Sequence, residues 1–141
     1  MQRFMTTTAL VFAGALLLSG CATSGSGDAA STSAKDGCDT IRSEVRNVSN
    51  GAQNTLATAT DAAETKTYLE GLEDRVDALD EQAGDDTKVE DALEGLKAAL
   101  GDAADYAATI PADGTQDPEA LAAQQTAIQT AANEVNTACA A

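Results

Sequence analysis

Leu69-Glu70-Gly71-Leu72-Glu73-Asp74-Arg75-Val76-Asp77-Ala78-Leu79-Asp80-Glu81-Gln82-Ala83 is the stretch that decides the fold. Leu69, Leu72, Val76, Leu79 and Ala83 recur at alternating steps of three and four, so they line one face of a 3.6-residue helix while acids fill the other. The same period runs before it through Ile41, Val45, Val48, Ala52, Leu56 and Ala59. It returns twice after it, through Val89, Ala92, Leu93, Leu96, Leu100, Ala103 and Ala107, and through Leu121, Gln125, Ile128, Ala132, Val135 and Cys139. No comparable run alternates with period two, and Val and Ile are sparse, which excludes a sheet. The pattern predicts an all-α chain of four helices.

Boundary residues agree with that count. Asp61-Ala62-Ala63-Glu64 has the form of a capping box, Asp85 or Asp86 suits a third N-cap, and Asp117-Pro118 puts proline at the tolerated first helical position. Breaks are expected near Thr58 to Asp61, Gly84 to Asp86 and Ile110 to Gln116. Helices of about 20 to 24 residues, roughly 30–36 Å at 1.5 Å per residue, then favour an antiparallel up-down-up-down four-helix bundle. Asn50-Gly51 is the weak point, because glycine costs about 1 kcal/mol relative to alanine in a helix. A break there gives five shorter helices.

Upstream of the periodic region the chain changes character. Arg3 supplies a short basic segment, Ala9 to Leu18 is an apolar run of ten residues, and Leu18-Ser19-Gly20-Cys21 closes it. Ten apolar residues are too few to span a bilayer, which takes about 20, and the order matches a secretory signal. The tetrapeptide resembles the lipobox of bacterial lipoprotein precursors. That resemblance implies cleavage before Cys21, a diacylglycerol on its sulfur, palmitate-type acylation, and a mature protein anchored on the extracytoplasmic side of the cell membrane. The residue types alone also admit an ordinary signal peptide with an incidental Cys21, or a short membrane anchor.

Ala22 to Asp36 is rich in Ser, Thr, Gly and Ala and almost free of bulky apolar groups, the composition of a flexible linker. The expected organisation is a signal peptide over 1–20, lipidated cysteine and linker over 21–37, and an acidic bundle over 38–141. Just over 100 residues suffice for one small core. That core is poor in aromatics: both Phe lie in the signal peptide, leaving Tyr68 and Tyr106, and alanine fills many seam positions. With Cys21 assigned to lipid, Cys38 and Cys139 remain as an exported pair, at positions an up-down-up-down bundle brings to one end. A disulfide is the expectation, and two free buried thiols are the alternative.

Charge and residue types bound the function. The chain carries 23 Asp and Glu against 8 Lys and Arg, for a formal net charge of −15, and removing residues 1–20 takes away Arg3 and no acid. Such a surface is repelled by nucleic acid and by anionic headgroups, so no nucleic-acid partner is expected. There is no His, which excludes Ser-His-Asp and Cys-His nucleophiles and His-ligated zinc, and Gly25 and Gly27 follow no strand that could make a phosphate loop. No enzyme, cofactor or metal site is expected.

The acidic run is the candidate site. Glu70, Glu73, Asp74, Asp77, Asp80 and Glu81 on the second helix, with Glu90, Asp91 and Glu94 on the third, form a negative face across one hairpin. It reads as a docking surface for an envelope protein on a monomeric, membrane-anchored module, with a loosely held divalent cation or small ligand as the alternative. A plain solvated helix face explains the same residues. Asp113, Thr115 and Asp117 make a weak match to a calcium loop, and loop and cap duty explains them equally well. Tyr68 and Tyr106 read either as core-edge residues or as the walls of a small-ligand cleft.

Overall fold

The computed structural model describes residues 29–140, with side chains from Gly37 onward. The expected signal peptide, Cys21 and linker residues 22–28 lie outside the described residues. Four helices follow one another: α1 (Ala29–Ala57), α2 (Ala62–Ala83), α3 (Thr87–Ala107) and α4 (Pro118–Ala138), with no strand among the described residues.

Cross-helix pairs give the topology. From α1 to α2, Gly37 faces Gln82, Glu44 bonds Arg75 and Gly51 faces Tyr68, so one index rises as the other falls. From α2 to α3 the pairs are Asp77 with Lys97 and Lys66 with Asp105. From α3 to α4, Gly95 faces Glu134, and from α4 back to α1 Cys139 meets Cys38 while Gln129 bonds Gln53. Every neighbouring pair is antiparallel, which makes an up-down-up-down four-helix bundle.

One expectation changes, and one alternative drops out. α1 begins at Ala29, so residues 29–37, read as the end of a flexible linker, are helical. Once a packed segment has nucleated a helix, each added residue gains a hydrogen bond, and Ala29, Ala30 and Ala34 are strong helix formers. The chain also passes through Asn50-Gly51 without a break. Ala52 and Leu56 beyond it are fully buried, and that packing offsets the local cost of glycine.

The four seams meet in one apolar core. Ile41, Val45, Val48, Ala52 and Leu56 of α1 face Leu69, Leu72, Val76 and Leu79 of α2, with Val89, Leu93, Leu96 and Leu100 of α3 and Ile128, Ala132 and Val135 of α4 completing it. Ala99, Ala104 and Ala131 are buried as well. Gln125 is only half-buried, and its amide donates to the Gln53 carbonyl across α1 and α4 instead of entering the core. Polar residues are nearly excluded from the interior: Ser49 and Thr65 alone are buried among the described residues.

Helix ends follow the expected chemistry. Asp61 caps α2 by accepting from the Glu64 amide at 2.9 Å, although the reciprocal bond of a full capping box is absent. Asp86 caps α3 through the Lys88 and Val89 amides, and Asp117 caps α4 through the Glu119 and Ala120 amides, followed by Pro118. Gly84 leaves α2 at φ 65°, a conformation that disfavours any residue with a side chain. At this same end of the bundle Cys38 and Cys139 are paired with Cα atoms 5.3 Å apart, and Arg42 donates to the Cys139 carbonyl at the end of α4.

Candidate functional site

α2 and α3 run side by side with their acids on the outer edges of the shared seam. Between them lies a shallow groove of about 350 Å³. Val76 and Leu93, both core residues, form its floor, and Asp77 and Asp80 from α2 face Glu90, Asp91 and Glu94 from α3. The register that puts Asp77 beside Lys97 produces this grouping, because it sets the last turns of α2 against the first turns of α3.

One cation enters the groove. Lys97 forms an ion pair with Asp77, which with the neighbouring Glu73 and Asp80 holds the Lys97 ammonium above its usual range. Asp80, Glu90, Asp91 and Glu94 make no salt bridge among the described residues. Asp80 also stands near the carboxyl end of α2, where the helix dipole opposes a negative charge, whereas Glu90 and Asp91 in the first turns of α3 are favoured by it.

The other predicted acids are placed elsewhere. Glu70 pairs with Lys66 at 3.0 Å, and Lys66 reaches on to Asp105 of α3. Glu73 packs beside Gly101 of α3, and partial burial followed by repulsion from Glu70 pushes its carboxyl up. Asp74 and Glu81 are exposed and do not line the groove. The nine-residue face read along the chain is therefore five groove residues, two acids on the α2–α3 seam and two solvated ones.

The loop between α3 and α4 has its polar groups committed to structure. Asp113 accepts from the Thr115 amide at 2.9 Å, a bond that lowers its pKa, and Asp117 serves the α4 cap. Tyr106 donates to Gln116 at 3.1 Å, and Gln116 donates to the Leu56 carbonyl at 3.0 Å, tying the loop to the end of α1. Tyr106 thus fastens a loop, and the groove that Tyr68 lines does not include it. Lys97 as the groove's cation and Tyr68 against Gly51 were not anticipated along the chain; the one signal was a glycine kept inside an otherwise good helix.

Chemically, the groove offers carboxylate oxygens above an apolar floor and no nucleophile paired to a base. It suits electrostatic attraction of a cationic group with a short apolar body. Comparison with protein-family models, curated proteins and solved structures returns no significant match.

Proposed function

We propose that the chain is a bacterial lipoprotein whose acidic bundle is held at the extracytoplasmic surface of a membrane by diacylglyceryl-Cys21 and acts by non-covalent contact with an envelope protein. Two acyl chains anchor stably at about 0.8 kcal/mol per buried methylene, so the absence of a basic patch is no obstacle. Seven residues, 22–28, separate Cys21 from the start of α1. Fully extended they reach about 25 Å. The tether therefore enters the bundle at the end that carries the Cys38–Cys139 bridge.

The observation that carries the contact reading is the α2–α3 groove, where four carboxylates without a salt bridge surround Val76 and Leu93. A cationic partner segment gains attraction there and covers the apolar floor, and acids that oppose one another in the free protein become favourable contacts. Catalysis has no support in the residue types, since the chain has no His to serve as base.

Crosslinking capture from native membranes tests this reading. The full lipidated chain with Asp80→Asn, Asp91→Asn and Glu94→Gln should fold normally and lose its partner, and added salt should weaken capture by the unsubstituted protein. Capture that survives both treatments rejects the groove as the contact site.

A further inference from the structure

A second groove, of about 320 Å³, opens where α1 turns into α2, at the end of the bundle away from the disulfide. Thr55, Thr58, Thr60, Asp61, Glu64 and Tyr68 line it. Tyr68 is 44% exposed, the one large hydrophobic side chain exposed among the described residues.

The position of Tyr68 is arranged at a cost. Gly51 lies inside α1, where alanine would be more stable by about 1 kcal/mol. A Cβ at Gly51 would stand 2.7 Å from the Tyr68 hydroxyl oxygen and 3.8 Å from Leu72 Cδ1. Glycine there gives up helix stability and makes room for a phenol that stays nearly half exposed and whose hydroxyl makes no hydrogen bond among the described residues. Glycine is needed at that turn because the Tyr68 ring crosses α1 there, and the ring that crosses keeps an exposed aromatic face.

The polar groups around Tyr68 define what fits. Asp61 uses one carboxylate oxygen on the Glu64 amide and leaves the other, and Glu64 has no ion pair. Thr58 donates its hydroxyl to the Asn54 carbonyl at 2.9 Å and keeps its lone pairs. No Lys or Arg lines the groove, so an anion is excluded. Acceptors predominate, one aromatic ring stands among them, and the volume lies at the small end of ligand sites. We propose that this groove binds a neutral saccharide, one sugar ring stacking its C–H face on Tyr68 while its hydroxyls donate to Asp61 and Glu64. The site is independent of the lipid anchor and of the acidic α2–α3 groove.

Amide NMR of the detergent-solubilised full chain, titrated with maltotriose or N,N′-diacetylchitobiose, tests the proposal, with spermidine and choline as cationic controls. At least one saccharide should shift amides of residues 55–68 at ~10 mM or below, an affinity of about −3 to −4 kcal/mol or better. Tyr68→Ala should weaken binding about tenfold or more, and Tyr68→Phe, which keeps the ring, should not. Gly51→Ala separates site from fold: the tyrosine tip can swing away, so the melting temperature holds or rises while saccharide binding falls. Silence with both saccharides, shifts at 55–68 from the cations alone, or full binding by Gly51→Ala overturns the proposal.

Discussion

Gly37→Ala measures how closely α1 and α2 approach. A Cβ built on Gly37 lies 2.7 Å from the backbone carbonyl oxygen of Gln82, well inside van der Waals contact, and the obstacle is backbone, which cannot turn aside as a side-chain tip can. Relief requires α1 to move off α2, yet the next residue, Cys38, is tied to Cys139. Gly71, in the middle of α2 and exposed, has nothing within 4 Å of the same added atom. Both substitutions gain about 1 kcal/mol of helix propensity. Only Gly37→Ala meets the overpacking penalty of about 1–3 kcal/mol. Gly71→Ala should therefore stabilise by about 1 kcal/mol, while Gly37→Ala should range from neutral to about 2 kcal/mol destabilising. In thermal melts followed by circular dichroism, each kcal/mol moves the midpoint by roughly 4 °C or more for a domain of this size. Equal stabilisation by the two substitutions would refute the close approach and the register drawn from it.

Three further outcomes follow from the same structure. Replacing Cys38 and Cys139 together by serine releases a cross-link between residues 101 apart and should lower unfolding stability by about 2–4 kcal/mol in urea titrations; an unchanged midpoint would show that the bridge does not constrain the chain. Leu96→Ala, at a fully buried site, should cost about 2–5 kcal/mol, and a cost below 1 kcal/mol would place Leu96 outside the core. Glu73 has a raised carboxyl pKa, so its ionised form is disfavoured in the folded state; its relative contribution is present below the unfolded pKa and is lost as pH rises through the folded one. Glu73→Gln should therefore be more stable than the unsubstituted protein at pH 7 and lose that advantage by about pH 4, and an advantage that grows on acidification would reverse the assignment.

Much of the fold was legible because a 3.6-residue period in Leu, Ile and Val is a strong signal. Ile41 to Leu56 and Leu69 to Leu79 are buried where the period puts them. Alanine carries no such signal: Ala99, Ala104 and Ala131 are buried while Ala98 and Ala108 are exposed, and only neighbouring helices decide between them. Gln125 was read into the seam because the period was carried through it, although an amide can bridge α1 and α4 at the rim as well as fill a seam. The start of α1 at Ala29 was hidden by Ser, Thr and Gly, whose composition suggests a linker when the packed helix beyond is ignored.

The candidate sites were legible by residue type and not by grouping. Acids on α2 and α3 are plain along the chain, but the cross-helix register brings Asp80 to Glu90, Asp91 and Glu94, sends Glu73 to Gly101 and leaves Asp74 and Glu81 in solvent. Tyr68 and Gly51 are 17 residues apart, and nothing local connects them. Their meeting depends on how two helices cross.

Location, tether and the end from which the bundle is held all rest on the lipid anchor, and mass spectrometry of the membrane fraction tests it most directly. Trypsin should release an N-terminal peptide running from Cys21 to Lys35 that carries a diacylglyceryl mass, and Cys21→Ala should lose that mass and leave the membrane fraction. A mature protein that keeps Met1, or whose Cys21 is unmodified, would contradict the account.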